Sequence, residues 1–197
     1  SFTKEDITIT NGIIGLLSES SSANGIGKVY SATFIPASTD TLCTVNVLAD
    51  RFTDVPGNTN TGANEFSWIY DITAPSIIIS ALEIPLGDGS IYSNAPVINL
   101  TFTSNEIISD FSWNDITVTN GILGELHPVT SGDNNGKVYT TTFTPGETDT
   151  VCSIHVNANK FIDAADNFNT GSEQFSWVYD ITVPTMVITS PDIADGN

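Results

Sequence analysis

Phe175-Ser176-Trp177-Val178-Tyr179-Asp180-Ile181-Thr182-Val183-Pro184 repeats Phe66-Ser67-Trp68-Ile69-Tyr70-Asp71-Ile72-Thr73-Ala74-Pro75 at a distance of 109 positions (177 less 68). Phe, Trp and Tyr alternate with smaller residues in both copies, so the three aromatics share one side of an extended strand and bury a large apolar area there. The same offset holds outward from this stretch without a gap. Asp6-Ile7-Thr8-Ile9-Thr10-Asn11-Gly12 falls on Asp115-Ile116-Thr117-Val118-Thr119-Asn120-Gly121, and Gly27-Lys28-Val29-Tyr30 on Gly136-Lys137-Val138-Tyr139. Roughly half of the paired positions are identical. A period of this size exceeds the about 20 to 50 residues of solenoid repeats and suits whole domains of about 100 to 150 residues.

The pattern within one period is that of an all-β fold. Helical periodicity is absent, and short runs rich in Val, Ile, Thr, Phe and Tyr are separated by Gly, Asn, Asp and Pro. Strands are expected near 76–80, 96–103, 115–120, 122–126, 137–144, 150–157 and 173–180. This density of short strands is the profile of an immunoglobulin-like antiparallel sandwich, here in tandem modules. Alternation places Tyr139, Thr141 and Phe143 on the inner face of one strand, and Thr150, Cys152, Ile154 and Val156 on one face of another. Asn11-Gly12 and Asn120-Gly121 are tight-turn signals, because both residue types tolerate positive φ.

The repeat is out of phase with the chain. Residues 76–184 make a complete module, 1–75 lack its N-terminal strands, and 185–197 read as the first strand of a third module. Two readings of this phase compete: a window on a longer polypeptide, or a subunit whose missing strands come from a neighbour. The window is favoured, because the stub at 185–197 offers no equivalent of the core strand Val97–Thr103. Residues 1–75 are then expected to become ordered only when a preceding segment or a neighbouring chain completes them.

Net charge is −18, with Lys4, Lys28, Arg51, Lys137 and Lys160 the only cations. Such a balance disfavours nucleic acid and anionic membrane surfaces as partners. It suits a soluble surface protein or one exposed to divalent cations. No stretch approaches the roughly 18 apolar residues of a membrane span, so direct membrane insertion is not expected.

The order Asp-Ile-Thr-Val-Thr-Asn-Gly, Lys-Val-Tyr-x-x-x-Phe-x-Pro, Phe-x-Asp-x-x-x-Asn-x-Asn-Thr-Gly and Phe-Ser-Trp-x-Tyr-Asp-Ile-Thr-x-Pro resembles the bacterial Ig-like domains, which are arrayed in large surface adhesins. The resemblance covers nearly the whole chain. It implies an extracellular or cell-surface, non-enzymatic structural module of a stalk, adhesin or filament. Its implied partners are neighbouring Ig-like modules of the same or an adjacent chain, with self-assembly into filaments. The alternative is a binding module whose loops recognise carbohydrate or a protein surface. Trp113, whose counterpart is Lys4, is the aromatic candidate for that role. One departure is a cysteine in each module, Cys43 and Cys152, unexpected in a bacterial array. Their equivalent positions leave neither a partner in its own module, and the inward alternation predicts buried free thiols, with an inter-module or inter-chain disulfide as the alternative.

Catalysis finds no support. His127 and His155 face Ser18 and Asn46 in the other repeat, and no nucleophile elbow, metal-binding His pair or phosphate loop occurs. Carboxylates carry the one chemical expectation, which is calcium. Asp71 and Asp180 precede Ile-Thr-x-Pro at each module junction, with Glu106 and Asp115 in loops expected to face it. A second set, Asp163 and Asp166 with Asn167 and Asn169, crowds one loop, partly mirrored by Asp54, Asn58 and Asn60. Calcium takes about six to eight oxygens of these types. The competing reading is that these side chains cap turns. Asn99-Leu100-Thr101 is a glycosylation sequon, placed on the outward face of a strand.

Overall fold

A computed structural model describes residues 1–21, 27–84 and 91–189. The chain divides into two units, Ser1–Thr73 and Ala74–Asn197. The described residues form strands and short 3-10 turns at Lys4–Asp6, Trp113–Asp115 and Gly132–Asn134, with no α-helix among them.

The first unit carries β1 (Ile7–Thr10), β2 (Gly12–Ile14), β3 (Ser18–Ser21), β4 (Lys28–Ser31), β5 (Phe34–Pro36), β6 (Thr41–Val47) and β7 (Phe66–Tyr70). One sheet has the order β1-β6-β7, and β2-β5 and β3-β4 form two separate antiparallel pairs. The second unit carries β8 (Ile77–Ala81), β9 (Tyr92–Ser93), β10 (Ile98–Ser104), β11 (Ile108–Ser109), β12 (Ile116–Thr119), β13 (Gly121–Leu123), β14 (His127–Pro128), β15 (Val138–Pro145), β16 (Thr150–Val156), β17 (Ile162–Asp163) and β18 (Phe175–Tyr179). Its sheets run β13-β15-β10-β8, with β14 also on β15, and β12-β16-β18-β9, with the small pair β11-β17 beside them. All pairings are antiparallel except β18 with β9. This is the antiparallel immunoglobulin-like sandwich that the alternation predicts.

Inner faces fill the second unit's core as the period-two pattern requires. Register sets Ile98 against Phe143, Leu100 against Thr141 and Phe102 against Tyr139 on one sheet. The other sheet sets Cys152 against Trp177 and Ile154 against Phe175. All of these side chains are buried. Phe143 meets Trp177 edge-to-face at 4.9 Å between centroids. Phe111 meets Tyr139 at 5.1 Å and Phe161 at 5.2 Å. Burial of this kind stabilises by about 1.5–3 kcal/mol per large apolar side chain, and edge-to-face geometry adds to it.

The Asn-Gly signals prove to be corners between sheets rather than hairpin turns. Asn120 has φ 53° and Asn11 φ 51°. Chain polarity carries β12 into one sheet and β13 into the other across this corner. The glycine is needed for a different reason. A Cβ on Gly121 would lie 2.2 Å from Phe143 Cζ, and one on Gly12 2.3 Å from Phe34 Cζ. Each asparagine also ties the corner to the loop before the next strand. The Glu147 N–H donates to Asn120 Oδ1 at 2.7 Å, and Asn120 Nδ2 donates to the Glu147 carbonyl at 2.9 Å. Both cysteines are free and buried, and the Cys152 thiol donates to the Asn120 carbonyl. Burial raises the Cys152 thiol above its ordinary pKa, against an opposing hydrogen bond from Asn120.

Residues 185–189 carry no strand, and 190–197 lie outside the described residues, so the expected opening strand of a third module falls mostly there.

Candidate functional site

The carboxylates predicted for calcium are built into backbone turns. Asp180 Oδ1 accepts the Thr182 N–H at 2.8 Å, and Asp71 Oδ1 accepts the Thr73 N–H at 2.8 Å. The threonine that follows then bonds outward. Thr182 Oγ1 donates to Asp149 Oδ2 at 2.8 Å, and Thr73 Oγ1 to Asp40 Oδ2 at 2.9 Å. The Ile181 and Ile72 N–H groups donate to Thr148 Oγ1 and Thr39 Oγ1. The Asp-Ile-Thr motif is therefore a clasp that fastens the end of the last strand to the Thr-Asp turn of its own unit. Short side chains that accept from backbone two residues on do this well.

Asp115 is buried in a capping box, its Oδ2 accepting from the Ser112 N–H at 2.8 Å and the Ser112 hydroxyl at 3.0 Å. Asp6 does the same for Thr3 in the first unit. Asp166 is exposed, and its φ of 66° marks it as the left-handed residue of its turn.

Asp163 is only 3% exposed. Its Oδ1 accepts the Ala165 N–H at 2.7 Å and the Asn167 N–H at 2.9 Å, and its Oδ2 accepts Asn167 Nδ2 at 2.8 Å. Burial opposes the charged form, but these hydrogen bonds outweigh it and hold the carboxyl below its ordinary pKa. The Asn169 amide is saturated. It accepts from the Lys160 and Phe161 N–H groups and donates to the Asn157 and Thr170 carbonyls. Asn60 repeats the arrangement, accepting from Arg51 and Phe52 and donating to Leu48 and Thr61.

Within the second unit the fold brings Glu106 to Asp163, with carboxylate oxygens within 4.8 Å. The sequence assigned these two to different sets. They come together because the turn after β10, which carries Glu106, leads into β11, where Ile108 pairs with Asp163 of β17. A calcium shell needs about six to eight oxygens. Glu106 and Asp163 would offer two carboxylates to such a shell, while both Asp163 oxygens already accept hydrogen bonds within its loop.

Asn99 faces outward on β10 as alternation requires, with Nδ2 donating to Glu83 Oε1 at 2.5 Å and its N–H to Glu83 Oε2 at 3.2 Å. No local motif in the sequence signals this glutamate. His127 is exposed, and His155 is half-buried with Nε2 at 3.0 Å from Asn157 Oδ1. Trp113 is 65% exposed. It borders an open groove of about 390 Å³ with Ile116, Val118, Ile122 and Leu123.

The family model for the bacterial Ig-like domain matches residues 1–69 and again residues 71–179, and the chain belongs to that family. Its modules serve structural or binding roles and are typically non-enzymatic. No curated protein matches the chain. Among the described residues, no helix is long and apolar enough to cross a membrane.

Proposed function

We propose that the chain is a length of an extracellular stalk or filament belonging to a cell-surface adhesin or fibre protein, with a mechanical rather than catalytic role. The observation that carries this reading is that the two family segments adjoin in the sequence, with only residue 70 between them. Modules joined so closely are spaced by their own folds rather than by a linker. Partners are then further modules of the same kind, in the same or an adjacent chain. The strong negative charge keeps such arrays soluble. Pulling on the intact polypeptide should give a sawtooth with one release per module, each lengthening the chain by about 3.3–3.6 Å per residue unfolded. A single release for several modules, or none, contradicts the reading.

The exposed Trp113 above its groove favours a second reading, recognition of carbohydrate or a protein surface. An aromatic face and apolar walls suit the apolar side of a sugar ring. Titration with an oligosaccharide panel, followed by tryptophan fluorescence and repeated with Trp113→Ala, tests it.

Calcium belongs to the proposal through Glu106 and Asp163. Calcium should raise the melting temperature of the second unit, and Glu106→Gln should remove that rise. Equal melting in calcium and in chelator refutes this part alone.

A further inference from the structure

One sheet in each unit is built from strands without a single charged residue. None of β1, β6 and β7 in the first unit, nor of β12, β16, β18 and β9 in the second, contains Asp, Glu, Lys or Arg. The chain holds 23 acidic and 5 basic residues, so this bare stretch of surface occurs in a molecule that is otherwise strongly anionic.

Both sheets also repeat one outward pattern. Register sets Leu42 opposite Ile69 and Thr44 opposite Ser67 in the first unit. In the second it sets Val151 opposite Val178 and Ser153 opposite Ser176. These positions alternate with the inward Cys43, Trp68, Cys152 and Trp177, so they point away from the core. An aliphatic pair beside a hydroxyl pair thus stands on the outer face of each sheet. Leu42 is 52% exposed, Ile69 65% and Val151 52%. The edge strands add only threonines to this side, Thr8 and Thr10 in one unit, Thr117 and Thr119 in the other. Strand propensity alone would be met by threonine at all of these positions. Between the repeats Leu42 becomes Val151 and Ile69 becomes Val178, so the residues change while the apolar character of the pair is kept. The other sheet of the second unit is different on its outer face, where Asn99 bonds Glu83 and a groove is lined in part by Glu125 and His127.

We infer that this uncharged face is a self-pairing surface, which meets the same face on a second copy of the chain. The inference rests on the reading of the chain as part of an array, and it names the surface by which an adjacent chain is met. Charge selects the occupant. Two chains of net charge −18 repel one another wherever their loops approach. A cationic partner would be drawn to the loop carboxylates and would find no counter-charge on these strands. The same face on another copy is a neutral surface that an array supplies at every module. Two-fold pairing brings aliphatic pairs together and takes no strand carboxylate out of water, because these strands have none. Size sets the strength of the contact. One face offers fewer outward side chains than the about 20–30 residues a side of a stable interface, so a single pair of modules holds weakly. Repetition along an array multiplies it.

A cysteine placed on the face detects even a weak contact between copies, since Cys43 and Cys152 are buried. Under air oxidation, the full chain with Val151→Cys should form disulfide-linked dimers at least about tenfold faster than the chain with Ile122→Cys. Ile122, 69% exposed on β13 of the other sheet, serves as the control. The Val151→Cys rate should rise as NaCl is raised, because screening weakens the repulsion between copies. Adding Ser176→Asp, or adding Ser176→Lys, should remove the advantage, and an equimolar mixture of these two chains should restore it as mixed dimers. The mixture is needed because a carboxylate by itself slows any neighbouring thiol. Thermal melting of each variant checks that the fold is kept. Equal rates for Val151→Cys and Ile122→Cys would overturn the inference and leave the face to a partner of another kind. A rate that falls with salt, or a mixture that fails to restore dimers, would overturn it as well. The sawtooth expected of the stalk is independent of these outcomes, since a chain that does not pair would still give it.

Discussion

The two units share about half of their paired residues, yet they differ in how much of the same chemistry is hidden from water. Trp177 and Trp68 occupy equivalent strands and face equivalent phenylalanines, at 4.9 and 4.8 Å between centroids. One indole is 1% exposed and the other is half-buried. The local contacts are therefore reproduced while the core is not. Edge-to-face pairs, capping boxes and Asn-centred loop ties are all short-range, and they form wherever their own residues are present. Burial is a property of the whole two-sheet arrangement, and it requires β8, β9 and β10.

The largest test of this contrast removes the indole. Trp177→Ala should cost about 3–5 kcal/mol of second-unit stability, the usual range for a fully buried large aromatic. Trp68→Ala should cost less than half of that in the first unit, measured by urea unfolding with each unit's transition followed separately. Equal losses would show that the first unit hides its core by other means. Next comes the loop amide. Asn169→Ala leaves two backbone N–H groups and two carbonyls without their partner. A loss of about 2–3 kcal/mol is expected from one buried and three part-buried groups left without partners, within the usual range of about 1–3 for an orphaned group. Asn60→Ala should lose less, since water reaches that loop. Smaller again is Gly121→Ala, about 2 kcal/mol, because the new Cβ meets a phenylalanine ring held in a packed core. Gly12→Ala should be milder, as Phe34 has room to turn away.

The smallest effect is acid dependence. The folded Asp163 carboxyl binds its proton less readily than in the unfolded chain, so its contribution is present above the ordinary carboxylate value and is lost as pH falls through the lower folded value. Asp163→Asn should flatten that part of the pH profile of second-unit stability. An unchanged profile would mean that the loop's hydrogen bonds do not distinguish the charged form.

Much of the sandwich is legible in the sequence because period-two alternation states directly which face is buried. Cys152, Ile154 and Trp177 are placed correctly on that ground alone. The shortest strands, β9, β11, β14 and β17, are not legible. Two residues are too few to show a period, and their pairing is imposed by neighbours. The site is less legible for a related reason. Oxygen-bearing residues in loops announce turns and cation shells with the same letters. Only the three-dimensional partners reveal that Asp180 holds the Thr182 amide, or that Glu106 meets Asp163. The repeat did hold one usable clue. Asn60 and Asn169 recur in register, and each saturates its amide in the same way.

The Asn120 corner also bears on how long such a protein lasts. An Asn followed by Gly is the peptide sequence most prone to spontaneous cyclisation, in which the glycine nitrogen attacks the side-chain amide and ammonia is lost. Attack needs that amide to swing toward the backbone. In the folded unit the Asn120 amide is held by Glu147 on both of its polar atoms and lies against the Cys152 sulfur. The corner is thereby shielded from chemical ageing for as long as the sandwich stays closed. Asn11 has the matching tie to Ser38, but in a unit whose face is open that protection is lost with each opening.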